Sequence, residues 1–411
     1  GARAARGPME QGPGAAKAEA EGAGAEEEQG DAPTALDLSR QGLTDEAAEQ
    51  VAEYLEREDC TVSFLDLSHN EIGDRGAERL AAALERNSTL TALVMSSNDV
   101  GDSGAEHLAA ALGKNSTVTT LVLNGNHISG LGTEKLATAL ETNTSLTSLG
   151  LGYNRVGIYG AEKLAASLEK NTTLTALDLS NNRIFGQGAE RLLAATKANS
   201  ALATLDMSGS ELLDPGAEQI ATALEENGVV TSLDLSSNRI KAQGAGRIAA
   251  ALAKNRTVAS FSLRTNDIGG EGAELLAAAL ESDGVVTSLD VSGNHMGDKG
   301  AAGFAACLEK NACIKTLALS QNCIRVDGAE KLAAALEKNR TLSSLLMMGN
   351  DVGERGGELF AAALEKNETL THLDLVYNRV KGPAMERITA ALAKNAQAQA
   401  SAEAPREPEQ G

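Results

Sequence analysis

Over short stretches of this chain apolar and polar residues alternate, then the apolar spacing lengthens to that of a helix, and the change recurs with a period of 28 residues. In LTALDLSNNRI, residues 174–184, Leu177 and Leu179 alternate with Asp178 and Ser180. Successive side chains on a strand point to opposite faces, so the pattern predicts a short strand with one buried face. In the second copy, from about Asp74 to Arg86, Leu80 and Leu84 stand four apart, and Ala77, Ala81 and Ala83 fall near the same side. That is the narrow apolar stripe of a helix, with Glu78, Arg79, Glu85 and Arg86 turned outward. Neither element buries its apolar face alone, so each unit needs neighbours stacked against it.

The strand turn ends in an Asn that repeats from Asn70 to Asn378 in eleven steps of 28 residues, with Ser210 in the one slot that lacks it. An earlier copy carries Gln41 in the slot, 29 residues before Asn70, which makes thirteen units. Ser210 is too short to make the same bonds, which predicts a weaker seam in unit seven, by about 1 kcal/mol; Asp214-Pro215 alters the loop of the same unit. A glycine ladder runs from Gly76 to Gly356 and gives way to Ala384 in the last unit. Glycine in a first helical turn costs about 0.5–1 kcal/mol against alanine, so its repetition predicts a place where a Cβ does not fit. A second Asn ladder follows the helices from Asn87 to Asn395, with Asp283 as its exception. Asn tolerates left-handed backbone, which predicts a left-handed stop to each helix. Asp74 is the expected N-cap of its own helix.

Strand, turn, helix and stop, followed by another strand in the same direction, imply a parallel sheet with a helix in every crossover. Strands stack about 4.8 Å apart and helices about 10 Å apart, so the stack bends with its strands on the concave face.

Charge narrows the partners. The chain has 36 Lys and Arg against 57 Asp and Glu, a net charge of −21. That argues against nucleic acid and against an anionic membrane surface, and favours a basic protein partner. No apolar run is long enough to span a membrane. Cys60, Cys307, Cys313 and Cys323 match no zinc or CxxC spacing and read as thiols of a reducing compartment. Residues 1–33, rich in Gly, Ala and Glu, and residues 396–411 hold too little apolar surface to offset the entropy of ordering. They are expected to be disordered tails around a repeat domain at 34–395. GARAARGP, before Met9, lacks the apolar segment of a secretory signal.

The pattern LxxLxLxxNxI followed by GxxGAExLAxAL resembles that of leucine-rich repeats, and the period with its full helix resembles the ribonuclease-inhibitor-like subtype. The resemblance covers about residues 34–395 and implies an α/β leucine-rich-repeat solenoid, a horseshoe of about thirteen repeats. It also implies that Leu177 and Leu179 fill the interior and that Asn182 bonds backbone groups in the turns. The GAExLAAAL text is similar to that of GALA-type bacterial effectors and of the repeat regions of nucleotide-binding innate-immune receptors. No F-box-like or nucleotide-binding segment accompanies it here.

Chemistry is sparse. No GxxxxGK[ST] loop is present, and Gly150, Gly152 and Gly157 lack the GxGxxG spacing. The five histidines sit in different units, none with a Ser or Cys at a nucleophile's spacing. No catalytic, cofactor-binding or metal-binding residue is expected. Asn-x-Ser/Thr occurs at Asn87, Asn115, Asn143, Asn171, Asn255, Asn339 and Asn367, all on the second ladder, so these read as parts of the repeat.

Function is therefore sought where the concave face departs from its default Asp and Ser. Asp178, Asp206 and Asp234 stack on consecutive strands with Asp290 two strands on, and Arg264 is expected in the gap between. Phe64, Val94 and Val122 place apolar groups in units two to four, with Tyr153 at the edge. Leu346, Met348, Val376 and Tyr377 do so in units twelve and thirteen, beside His372. Apolar groups on a polar face mark a partner site. The expectation is a monomeric, cytoplasmic, non-enzymatic scaffold for a partner protein, with no nucleic acid, membrane or cofactor. Two other readings stay open. One is a regulator of a small GTPase, similar to the repeat domain of Ran GTPase-activating proteins, with Arg155, Arg183, Arg239 or Arg379 near the switch regions. The other is a sensor or effector domain acting on host or innate-immune proteins, delivered into another cell.

Overall fold

The computed structural model describes residues 34–403 apart from Asp283. The expected tail at 1–33, the Asp283 exception and residues 404–411 lie outside the described residues. Among the described residues, thirteen three-residue strands, from β1 (Ala35–Asp37) to β13 (His372–Asp374), form one parallel sheet in sequence order. Thirteen helices, from α1 (Asp45–Leu55) to α13 (Gly382–Glu403), alternate with them and pack on their sequence neighbours. Strand partners stand 28 residues apart, as in Asp178 opposite Asp206, and 29 apart only where Ala35 faces Phe64. This is the α/β horseshoe solenoid that the repeat implied. No helix among the described residues is long and apolar enough to cross a membrane.

The core follows the apolar pattern. In unit two Leu65, Leu67, Ile72, Ala77, Leu80 and Leu84 are all buried. Phe261, Phe304 and Phe360 take Leu positions in later units and are buried as well. Between the strands and helices, the turns bury polar backbone, which needs partners. The first Asn ladder supplies them. Asn98 donates through Nδ2 to Leu67 O of the preceding unit at 2.9 Å, and its Oδ1 accepts from Ile72 N at 3.1 Å. Asn182 repeats both bonds, to Leu151 O at 2.7 Å and from Val156 N at 3.1 Å. Ser210 is fully buried in the same slot, yet its Oγ reaches only Ser208 O, at 3.5 Å, within its own unit. Neither cross-unit bond forms there.

The second Asn ladder works differently from the expected left-handed stop. Asn227 and Asn311 have φ of −68° and −70°. No ladder Asn has positive φ among the described residues. The side chain is what ends the helix. Asn115 Nδ2 donates to Leu84 O at the end of the preceding helix (2.8 Å), and its Oδ1 accepts from Val118 N (2.8 Å). Helix C-termini leave carbonyls without partners, and here the next unit satisfies one. The Asn-x-Ser/Thr side chains are buried in these bonds.

Asp74 also departs from expectation. The N-cap of α2 (Asp74–Leu84) is Gly73, without a side-chain bond. Asp74 instead caps the following helix: its Oδ1 accepts from Gly101 N at 2.7 Å and Gly104 N at 2.8 Å. Asp45, Asp102, Asp214 and Asp298 do the same for Gly73, Ser129, Lys241 and Arg325. A carboxylate at a helix N-terminus is favourable whichever unit it comes from. The glycine ladder makes room for this: a Cβ on Gly76 would lie 2.6 Å from Ile72 Cγ2 and 2.8 Å from Asp45 Oδ1.

Where the preceding unit lacks that Asp, six loops invert; the exception is Lys381, which follows Glu354 and is not left-handed. Gly157, Phe185, Leu213, Gly269, Gly297 and Gly353 follow units with Gly130, Ile158, Gly186, Ala242, Gly270 and Val326 at the Asp position. All six have φ between 54° and 70°. Their N–H groups turn to the next unit, as in Phe185 N to Ser210 O at 3.1 Å. In the five capped loops the donating residue keeps a negative φ, from −91° to −107°. One carboxylate thus selects the loop conformation of the following unit. Glycine takes the inverted form freely, whereas Phe185 and Leu213 carry a left-handed cost of about 1–2 kcal/mol each.

At the C-terminal end, the expected tail from Ala396 is helical as far as Glu403. No turn interrupts the Ala-rich sequence between Gly382 and Glu403. Asn395 Nδ2 bonds Asn367 O and Leu370 O, and Gln399 Nε2 bonds Thr369 O, each at 2.9 Å, which holds the extension on unit thirteen.

Asp74→Ala strands two N–H groups and should lower the urea midpoint by the equivalent of about 1 kcal/mol. Phe185→Gly should raise it by about 1 kcal/mol, because glycine is indifferent to the sign of φ. Midpoints moving in the same direction would refute the two-form account of the loops. Ser210→Asn restores the cross-unit bonds and should add about 1 kcal/mol. In the unaltered chain, turn amides of unit seven should exchange with deuterium faster than those of units six and eight; equal protection would show that Ser210 leaves no weak seam.

Candidate partner-binding face

Strand register sets the concave face in rows. The middle row reads Asp66, Val94, Val122, Gly150, Asp178, Asp206, Asp234, Ser262, Asp290, Ala318, Leu346 and Asp374, each opposite the next. The structure therefore brings Asp178, Asp206 and Asp234 side by side, and separates Asp290 from them by Ser262. Each carboxylate is tethered in its own strand: Asp206 Oδ1 accepts from Ser208 N at 2.8 Å, and Asp234 Oδ1 accepts from Ser236 N at 2.7 Å. Burial pushes the Asp206 carboxyl above its ordinary pKa. The Ser208 hydrogen bonds pull the other way, and the charges of Asp234 and Asp178 add to the rise. The central carboxylate is thus held between like charges with little solvent to screen it.

Arg264 does not occupy the gap in this row. Side chains alternate between faces every residue, so the residue two along from the Asp slot falls in the adjacent row, at the Ser180 position. Ser262 stands in the gap and shares a hydrogen bond with Ser236, Oγ to Oγ at 2.7 Å. Arg264 is exposed and forms no ion pair with the Asp row among the described residues.

Asn124, Gly150 and Gly152 were not among the expected site residues, yet they shape the face beside Asp178. Asn124 Nδ2 donates to Asp178 Oδ2 at 2.7 Å across the intervening strand, and Gly152 N donates to Asn124 Oδ1 at 2.8 Å. A Cβ on Gly152 would lie 2.5 Å from Ser180 Oγ and 2.9 Å from Asp178 Oδ2. The signal was two glycines in concave slots of one unit, next to the only Asn in the Ser180 row.

The apolar groups fall into two patches at opposite ends of the sheet. Val94 faces Val122, with Phe64 exposed one strand earlier in an outer row. Tyr153 lies apart from them, exposed in a left-handed turn at the edge (φ 55°). At the other end, Leu346 lies opposite Asp374, and His372 opposite Ser344. Met348 and Leu346 are half-buried, whereas Val376 and Tyr377 are exposed. His372, Val376 and Tyr377 line an open cavity of about 470 Å³ on the last strand, with Arg379 and Met385. Among the described residues no group of three or more His, Cys, Asp or Glu is placed to hold a metal.

The comparisons with known proteins bear on the fold. No curated protein matches the chain. Solved structures similar to it include the actin-binding site 2 of leiomodin-1, at 24% identity, covering 34% of this chain and 83% of that one with a TM-score of 0.32. The tropomodulin C-terminal domain of Caenorhabditis elegans matches at 16% identity, covering 34% and 87% with a TM-score of 0.32. The yeast Rad7 and Elc1 complex matches at 15% identity, covering 75% and 80% with a TM-score of 0.47. The family model described as Leucine Rich repeat matches residues 58–81, 86–109, 114–137, 142–165, 170–193, 227–249, 254–277, 285–305, 310–333, 338–361 and 366–388. The longest interval between matched segments, 194–226, contains Ser210 and Asp214-Pro215. With more than half of its residues matched, in register with the strands and helices described above, the chain belongs to the leucine-rich repeat family.

Proposed function

We propose that this chain is a non-enzymatic scaffold that holds a partner protein against its concave face. Membership of the leucine-rich repeat family supports a role in protein–protein interaction. The observation that carries the finer reading is the middle row of the sheet, where three adjacent carboxylates stand between two apolar patches. Such a face suits a folded partner with basic groups at its centre and apolar anchors towards its ends. Apolar contacts would supply most of the affinity, and the carboxylates orientation and encounter rate. The 28-residue strand spacing and the helix in every crossover support assignment to the ribonuclease-inhibitor-like subtype. The same reading has the protein act as a monomer in the cytoplasm.

The test is capture from cell extract with the unaltered chain, with Leu346→Asp/Met348→Asp and with Val94→Asp/Val122→Asp. A specific partner should be lost at least tenfold on one of the double changes, and its association should slow as salt rises. If every captured protein survives both changes, the concave reading fails.

Asp206 offers a check on the acidic row. Its carboxyl titrates above the ordinary value when folded, so between the two values the folded chain holds a proton that the unfolded chain has released. Stability contributed at this site is therefore lost as pH rises through that window. Asp206→Asn keeps an acceptor for Ser208 N–H and removes the charge. It should raise the thermal midpoint at pH 7, and the gain should shrink as the pH is lowered towards 4. A lower midpoint at pH 7 would mean that burial and the neighbouring charges do not disfavour the ionised form.

A further inference from the structure

A second surface lies off the concave face, along the edge where strands turn into helices. Five of the nine large apolar residues that stand exposed among the described residues fall in units four to seven: Leu131, Tyr153, Tyr159, Phe185 and Leu213. Phe185 and Leu213 do so in left-handed backbone, at φ of 54° and 57°. Both follow units without the capping Asp, so the inverted loop forces them outward. The Phe185 side chain, 40% exposed and in a costly conformation, leaves part of its ring open to a ligand, and strain of this kind gathers at functional sites.

The charge along the same edge is unlike the rest of the molecule. The residue after each ladder Asn forms a row across the units. In this row His127 pairs with Asp99 at 3.3 Å, Arg183 with Glu211 at 3.3 Å and Arg379 with Asp351 at 3.2 Å. Arg155 is flanked by His127 and Arg183, with no carboxylate on either side of it in the row. It makes no ion pair among the described residues. Arg155, Arg183, Asn181, Ile158 and Phe185 line a cavity of about 640 Å³ between units five and six. Gly157 and Phe185, the first residues of the helices Gly157–Leu168 and Phe185–Ala195, lie in the same lining. Arg183 shares its charge with Glu211, so Arg155 is the guanidinium of the pocket that lacks an ion-pair partner among the described residues. A cationic and apolar pocket in a chain of net charge −21 is complementary to a ligand with a single carboxylate. A polyanion would meet the repulsion of the remaining surface.

We infer that this edge pocket binds a short acidic segment of a partner protein. A carboxylate of the segment bridges the guanidinium groups of Arg155 and Arg183, and a large apolar side chain next to it packs on Phe185 and Ile158. Arg suits this role because its planar fork meets a carboxylate through paired hydrogen bonds. The site is separate from the concave face and does not rest on the function proposed for it.

Selection of a displayed library of random seven-residue peptides on the full chain tests the proposal, with binding of the selected peptides then measured by fluorescence anisotropy. Peptides with Asp or Glu beside Leu, Phe or Trp should emerge. Their affinity should fall at least tenfold in Arg155→Glu and in Phe185→Gly, and should be unchanged in Leu346→Asp/Met348→Asp. Phe185→Gly separates binding from folding, because it should raise the stability of the chain while removing the ring. Selected peptides without an acidic-apolar pair would overturn the proposal, as would peptides that bind Arg155→Glu and Phe185→Gly as tightly as the unaltered chain.

Discussion

Everything in this solenoid depends on asparagine side chains that satisfy buried backbone groups of the neighbouring unit. A leucine core can hold two units together, but it says little about how far one is rotated or slid against the next. Hydrogen bonds such as Asn98 to Leu67 O and Asn115 to Leu84 O add direction. They fix the strand turns on one side of the stack and the helix ends on the other. An unpaired amide in such a turn would lose its hydration without recompense. Ser210 shows the converse, since the fold tolerates one missing clip when those on either side remain.

The aspartates at the helix starts extend the same logic. A carboxylate from one unit caps the helix of the next, so adjacent units share their termini as well as their cores. Its presence or absence distinguishes two loop forms, each set by the unit immediately before. Ion pairs between neighbouring helices, such as Lys114 with Glu85 at 2.8 Å, add a further set of contacts at the same spacing. These are exposed and individually weak, worth about 1 kcal/mol or less. Their consistent register nonetheless favours one alignment of helices.

Uniformity of this kind leaves function to the exceptions. Where the concave row departs from Asp and Ser, it presents Val94 and Val122, Leu346 and Met348, or the glycines beside Asp178. Where the loops lack their capping Asp, Phe185 and Leu213 are turned outward. The scaffold carries these departures because the clips and the leucine core are unchanged around them. Asp206 illustrates the tension: the repeat places it between two like charges, half-buried, where its ionised form is disfavoured.

Periodicity alone was enough to read the architecture of this protein. The spacing of Leu177, Leu179 and Asn182, repeated in register, determines short parallel strands, a helix in each crossover and the direction of bending, because each follows from local alternation and stacking. The glycine ladder was legible for the same reason: a costly residue repeated at one position signals crowding. Beyond the first Asn ladder, bonds between units were not legible. The partners of Asp74 lie 27 and 30 residues away in sequence, and nothing local distinguishes that arrangement from a cap on its own helix. The second Asn ladder misled in the same way, since its amide reaches back to the preceding helix instead of bending its own backbone. The row assignment of Arg264, the reach of Asn124 to Asp178 and the pocket around Arg155 and Phe185 likewise arise only when neighbouring units are brought together. Local pattern sets what each unit is. What the units do to one another depends on contacts across the stack, and only the tertiary structure decided those.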